Sequence, residues 1–264
     1  MNYPSYEYEF ELQSKGYKYI CGVDEVGRGC IAGPVLAAAV ILPNHPPKKY
    51  TKLIRDSKTL SESQRETTFQ YLISWVKYYG IGSSSVEEID NYGIVEATTK
   101  AMIRAIKSVK ITPEFLLIDA MIIKELSTKQ KKIIKGDSKS YSIAAASIIA
   151  KVSRDNLIKD KIHPDYPNYD LKNNKGYGTK KHIEFLKIYG PQKIHRKSFE
   201  PIKSMITINY KIAMGLTGLP VTVFIGNGRI LIANSHLLFF SQVSERSSNQ
   251  ALSKIHNPIE TIPI

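Results

Sequence analysis

Two periods of apolar residues alternate along the first 155 positions of the chain. Tyr17 to Val23 mixes β-branched and aromatic residues, and Pro34 to Leu42 is a second apolar run, so the pair predicts two strands joined by the glycine-containing loop Val26 to Gly33. From Ser61 the period lengthens: Ser61 with Gln64 forms a capping-box pattern, and Phe69, Leu72, Ile73 and Val76 fall on one helical face. Tyr78 to Ser83 predicts a third strand, Ser85 with Glu88 a second capped helix, and Val95, Thr99, Met102, Ile103 and Ile106 continue a helical stripe. Phe115 to Ile118 is wholly apolar, which suits a buried strand ending at Asp119. Ser138 to Arg154 reads as an Ala-rich helix with Lys151 and Arg154 in its last turns, where cations suit the helix dipole. An α/β sheet with helices on its faces is the economical architecture.

Beyond this frame the pattern weakens. His163 to Ser198 is polar, basic and rich in Tyr and Gly, and the chain changes character again after Tyr210. In the tail, Val221 to Ile225 and Ile230 to Ala233 flank Gly226-Asn227-Gly228-Arg229 and predict a hairpin, while the Ser- and Asn-rich remainder from Ser241 suits disorder. The longest uncharged apolar stretches, Cys30 to Leu42 and Ile212 to Ile225, are shorter than the ~20 residues of a membrane helix. Neither a basic nor an apolar leader opens the chain, so a cytoplasmic protein with no membrane partner is expected. Cys21 and Cys30, the 2 cysteines, suit free thiols in a reducing compartment.

Charge narrows the partner. Across 264 residues the net charge is +13, which favours a polyanion such as a phosphate backbone, although net charge also serves solubility. The tail holds only Lys211, Arg229, Arg246 and Lys254 against Glu245 and Glu260, so the basic excess lies upstream.

Four acids carry the candidate chemistry. Asp24 and Glu25 end the first predicted strand in Gly22-Val23-Asp24-Glu25-Val26-Gly27-Arg28-Gly29, and can converge only where the strand ends and the backbone bends. The alternative is an ordinary acidic surface turn, with Arg28 paired to Glu25. Asp119 ends a strand, where ligand groups of open α/β sheets gather, and Asp137 precedes a helix it could simply cap. Carboxylates without a matching His or Cys set suit Mg²⁺ or Mn²⁺ rather than zinc, and an acidic island in a basic protein suggests metal-assisted phosphodiester chemistry.

These residues also carry a resemblance. Tyr19 through Gly29 with Ala32-Gly33-Pro34-Val35, then Asp56-Ser57-Lys58 with Leu60, Asp119, Lys135-Gly136-Asp137 through Ala144 to Val152, and Lys175-Gly176-Tyr177-Gly178-Thr179 together resemble bacterial ribonuclease HII over roughly residues 17 to 203. The resemblance implies a ribonuclease H-like mixed sheet flanked by helices, with a small helical C-terminal part and an unassigned tail. In residues this means an N-terminal extension 1–16, a catalytic domain 17–160, a helical, basic, substrate-contacting part 161–210, and an atypical tail 211–264. The implied activity is hydrolysis of the RNA strand of RNA-DNA hybrids and nicking 5′ of ribonucleotides embedded in duplex DNA. Two divalent ions, Mn²⁺ or Mg²⁺, would serve it, leaving 3′-hydroxyl and 5′-phosphate ends, in a monomer acting in ribonucleotide excision repair and DNA replication.

By the same resemblance Asp24, Glu25, Asp119 and Asp137 would bind the metals, and Gly27, Arg28 and Gly29 would sense the ribose 2′-hydroxyl. Tyr177 would stack on the sugar at the RNA-DNA junction, with Lys58 and Lys151 near the nucleic-acid backbone. Lysines and arginines of 172–181 and 195–197 would hold the duplex without reading bases. This sequence departs from the pattern at Cys30, where proline is usual, and at Ala120, where glycine commonly follows the third acid. Two rival readings use the same residues: a recombinase-type enzyme that cuts DNA and has no use for the Gly27-Arg28-Gly29 loop, and a non-catalytic binder of hybrids or structured RNA.

Overall fold

The computed structural model describes residues 3–44, 54, 57, 60–206, 222–226, 229–233 and 238–242, the last three for their backbone. Five strands, β1 (Ile20–Val26), β2 (Val35–Ile41), β3 (Tyr78–Ser84), β4 (Phe115–Asp119) and β5 (Lys129–Ile133), form one sheet in the order β3-β2-β1-β4-β5. β1, β2 and β3 run antiparallel to one another in sequence, while β4 is parallel to β1 and β5 to β4. The helices are α1 (Glu7–Ser14), α2 (Glu62–Trp75), α3 (Val86–Tyr92), α4 (Ile94–Ser108), α5 (Tyr141–Asn156), α6 (Leu171–Asn174) and α7 (Lys180–Tyr189).

The period-2 alternation of β1 and β2 sorts their residues onto two cores. Cys21, Val23, Ala37, Ala39 and Ile41 pack with Ala101, Met102 and Ala105 of α4, whereas Ala38 and Val40 pack with Ala144, Ala145, Ile148 and Ile149 of α5. The contact between α5 and β1 is backbone to backbone: a Cβ on Gly22 would lie 2.2 Å from the carbonyl carbon of Ser142. Alanines on α5 and glycine on β1 therefore bring the helix down onto the strand that carries Asp24. A third core of Ile31, Ala32, Ile158, Tyr169, Leu171, Leu186, Ile194 and Ile202 joins the loop after β1 to the helices beyond residue 157.

Several expectations change in detail. The first strand is displaced toward the C-terminus, running to Val26 with Glu25 paired to Ala37 and Val26 to Leu36. The chain thus bends at Gly27 (φ 91°), not at the two acids. Helix α5 begins at Tyr141 with Ser140 as its N-cap, so it does not use Asp137 as a cap. β5, Lys-Gln-Lys-Lys-Ile, has no apolar alternation to announce it, and its lysines suit the exposed edge of a sheet. α1 lies inside the supposed N-terminal extension and buries Leu12 against Ile20, Leu117, Ile133 and Ile143. In the tail, Thr222–Gly226 pairs antiparallel with Arg229–Ala233, and Leu238–Gln242 adds a third strand. Ser241 and Gln242, the first residues of the remainder expected to be disordered, belong to that third strand, and 243 onward lies outside the described residues. Among the described residues no helix is long and apolar enough to cross a membrane.

Candidate active site

Asp24 and Asp119 meet because of register and alternation. Val23 pairs with Ile118 across the parallel β1 and β4 strands, so Asp24 and Asp119 are each one residue further along. Both belong to the face covered by α5, since Leu117, two before Asp119, packs against Ile143. Asp24 is 5% exposed, takes hydrogen bonds from Glu25 N at 2.8 Å and from Ser147 of α5, and has no cation paired with it among the described residues. Burial, then the neighbouring charges of Glu25 and Asp119, hold its pKa well above the ordinary aspartate value. Glu25 is also raised, chiefly by burial; Arg28 opposes this from 3.4 Å while Asp119 adds to it. The Arg28–Glu25 ion pair foreseen as the alternative thus forms, but beside a cluster of like charges rather than on an ordinary turn.

Asp137 lies on a one-turn 3-10 helix, Gly136–Ser138, entered through Lys135 in the left-handed region. Asp119 Oδ1 accepts from Gly136 N at 2.7 Å, which ties the fourth acid's turn to the third acid. Among the described residues no group of three or more His, Cys, Asp or Glu side chains is already arranged to hold a metal ion. The donor chemistry nonetheless fits a hard dication. The raised pKa values of Asp24 and Glu25 come first from burial, with the neighbouring Asp119 charge adding to both and Arg28 offsetting only Glu25, so a cation on this all-oxygen set would relieve the cost.

Beside the acids, the loop after β1 and the loop before α7 form one unit. Ile31 N and Ala32 N donate to Gly176 O at 2.9 and 3.2 Å. Arg154, fully buried, donates to Pro34 O, Lys175 O and Ala32 O at 2.9, 2.8 and 3.1 Å, and a Cβ on Gly27 would lie 2.3 Å from its Nε. Arg196, also fully buried, donates to Arg28 O, Gly27 O and Gly33 O at 2.9, 2.7 and 2.9 Å. Arg154 stands in the last turn of α5 as expected and in addition holds loop carbonyls, whereas Arg196 corrects the sequence reading, since it faces inward rather than toward a duplex.

His195 is likewise turned inward, joined to His182 at 3.1 Å between their Nε2 atoms. Gln192 N donates to His195 Nδ1 at 2.9 Å, which leaves the His195 proton on Nε2 to be donated to His182. His182 then donates from Nδ1 to Tyr177 O at 2.9 Å. Burial lowers both histidines, His195 to about 4, so both are neutral near pH 7. Tyr177 is 38% exposed, with Lys151 Nζ 5.3 Å from its ring centroid and Lys151 paired to Asp155 at 2.9 Å. Lys58 lies outside the described residues, as does Asp56. At the unusual position Cys30, the backbone N donates to Gly27 O at 3.3 Å, a bond that proline could not make.

The family model for ribonuclease HII matches residues 21–202. A ribonuclease HII of Geobacillus sp. (strain WCH70) is 49% identical over 199 residues, covering 75% of this chain and 70% of the relative. The chain belongs to the ribonuclease HII family. It is a hydrolase, an endoribonuclease of RNA-DNA hybrids. A second ribonuclease HII, from Macrococcus caseolyticus (strain JCSC5402), is 52% identical over 198 residues, covering 75% of this chain and 72% of its own. The fold is ribonuclease H-like. The crystal structure of the ribonuclease H2 from Pyrococcus horikoshii OT3 is similar with a TM-score of 0.61 and 28% identity, over 74% of this chain and 100% of that one. Of the residues around this ribonuclease HII site, sequence reasoning missed Ser147, Arg154, His182, His195 and Arg196 as internal supports. For Arg154 a signal existed: Ala150 and Ile158, one turn away on either side, place it on an apolar stripe.

Proposed function

We propose that this ribonuclease HII nicks 5′ of ribonucleotides embedded in duplex DNA, as well as cutting RNA in hybrids, with Asp24, Glu25, Asp119 and Asp137 as the ligands of two Mn²⁺ or Mg²⁺ ions. The observation that carries the reading is a buried Asp24, with no paired cation among the described residues, beside Asp119 and Glu25 and next to two loops locked together by Arg154. Asp24, Glu25, Asp119 and Asp137 would hold the two ions, whose contribution would be activation of a water and stabilisation of charge on the departing 3′-oxygen. Asp119 holds the Asp137 turn through Gly136 N, and Ser147 orients Asp24. The backbone of Gly27, Arg28 and Gly29, fixed from behind by Arg196, meets the ribose 2′-hydroxyl, the group that separates RNA from DNA at one position. Tyr177 offers its exposed ring to the sugar at the junction, and Lys151 lies beside the backbone phosphates. A role in removing ribonucleotides from DNA follows from that specificity.

The test is a labelled duplex carrying one ribonucleotide, incubated with Mg²⁺, Mn²⁺ or a chelator. We expect one nick 5′ of the ribose, leaving 3′-hydroxyl and 5′-phosphate ends, and none with chelator or on all-DNA duplex. Cutting of all-DNA duplex would point instead to the recombinase-type reading, and metal-independent binding without product to a passive binder.

A further inference from the structure

The turn that carries Asp137 is supported from both ends. On its upstream side is Asp119, through Gly136 N. On its downstream side, residues 139–142 are held by a segment from the start of the chain. Ser5 N donates to Lys139 O at 3.0 Å, and Tyr141 N donates to Ser5 O at 3.1 Å. From the middle of α1, Glu9 Oε1 accepts from Ser140 Oγ at 2.7 Å, Ser142 N at 2.9 Å and Ser142 Oγ at 2.6 Å. Glu9 is 2% exposed, and its second oxygen, Oε2, is buried without a hydrogen bond among the described residues.

Burying a carboxylate with one oxygen unsatisfied is a costly way merely to dock a helix. Docking is already served by Leu12 and Tyr8, which pack against the core that includes Leu117 and Ile143. What the carboxylate adds is geometry. Three donors from the first turn of α5 converge on a single oxygen, which fixes how that helix starts and therefore where the chain leaves Asp137. Its negative charge also suits the positive end of α5. The same helix supplies Ser147 to Asp24, so its placement bears on two of the acids.

We propose that Glu9 is a positioning residue of the catalytic centre, fixing Asp137 through the first turn of α5, so that α1 belongs to the active unit although the family match begins at residue 21. The proposal rests on the reading of Asp137 as a metal ligand. It is tested on the full chain with Glu9→Ala, Glu9→Gln and Asp137→Asn, by Mn²⁺ calorimetry without substrate, thermal melting and steady-state kinetics.

Glu9→Ala should weaken Mn²⁺ binding and lower kcat by about tenfold, the scale of losing an outer support of a metal site, with KM for the duplex little changed. Glu9→Gln keeps an oxygen in place of Oε1 and puts its NH₂ where no hydrogen bond was made, so it should recover most of both. A Glu9→Ala protein that melts earlier but binds Mn²⁺ and turns over normally below its melting point overturns the proposal, as does Glu9→Gln being as impaired as Glu9→Ala. Should Glu9→Ala fail to fold, Ser142→Ala carries the test. It removes one donor and keeps the N–H, and should weaken Mn²⁺ binding about fivefold; unchanged binding refutes the idea. Normal Mn²⁺ binding by Asp137→Asn would sink the ligand assignment itself, whereas loss there with an unaffected Glu9→Ala sinks only the role of Glu9.

Discussion

At the scale of single residues, the site trades stability for chemistry. A carboxylate whose pKa is raised in the folded state binds more protons there than in the unfolded chain, so its ionisation costs stability as pH rises through its raised pKa. Asp24→Asn should therefore raise the melting temperature at pH 7 in metal-free buffer while abolishing cleavage; a lower melting temperature would contradict this electrostatic account. The acid limb of the pH-rate profile should also lie above the ordinary carboxylate range and move to lower pH as Mn²⁺ is increased, because metal competes with protons for the same oxygens. Ala120, directly after Asp119, has φ 52°, a left-handed conformation that Cβ penalises. Ala120→Gly should stabilise the fold by about 1 kcal/mol in denaturant melts, with cleavage retained. On the proposal that the Tyr177 ring stacks on the sugar, Tyr177→Phe should be mild and Tyr177→Ala severe in kcat/KM. Equal activities would refute stacking.

At the scale of elements, legibility in the sequence followed the source of each signal. α2 and α4 were visible because each leaves a helical apolar period in the chain, β2 and α5 because they are apolar nearly throughout and buried on more than one side, and the capping boxes at Ser61 and Ser85 both form. β5 and α1 were not visible, because a lysine-rich edge strand and a helix anchored through a buried Glu9 carry no apolar period. The histidine pair belongs to this scale, since it ties α7 to the segment near Gln192 and to Tyr177 O. Its folded pKa values lie below the ordinary 6.5, so its contribution is fully present above that pH and is lost as pH falls toward about 4. Thermal melts from pH 7 to pH 4 should show a drop on the order of 3 kcal/mol in stability from this pair, and His195→Gln should flatten that slope. An unchanged slope in the variant would remove the pair as its cause.

At the scale of the whole molecule, the +13 net charge favours a polyanionic partner, and the proposed role of the buried acids is separable from it. Binding to duplexes should weaken steeply with salt, and Lys151→Ala should lower the slope of log affinity against log salt by about one if it contacts a phosphate. An unchanged slope would leave Lys151 with its internal partner Asp155 alone. Charge counted along the chain overstates the available surface, because Arg154 and Arg196 are fully enclosed.

The sequence by itself determined most of the strands and helices, the candidate acids and the family, since alternation, caps and ordered motifs are local properties of a chain, while the meeting of Asp24 and Asp119 needed the β1–β4 register. Tertiary structure alone decided which cations face inward, that Glu9 supports the Asp137 turn, and that the loops of Gly27 and Tyr177 form one unit. Their partners are mostly backbone groups, up to 169 residues away for Arg196 and Gly27. Every residue offers the same carbonyl and amide, so no pattern of side chains can say in advance which of them a buried arginine or carboxylate will find.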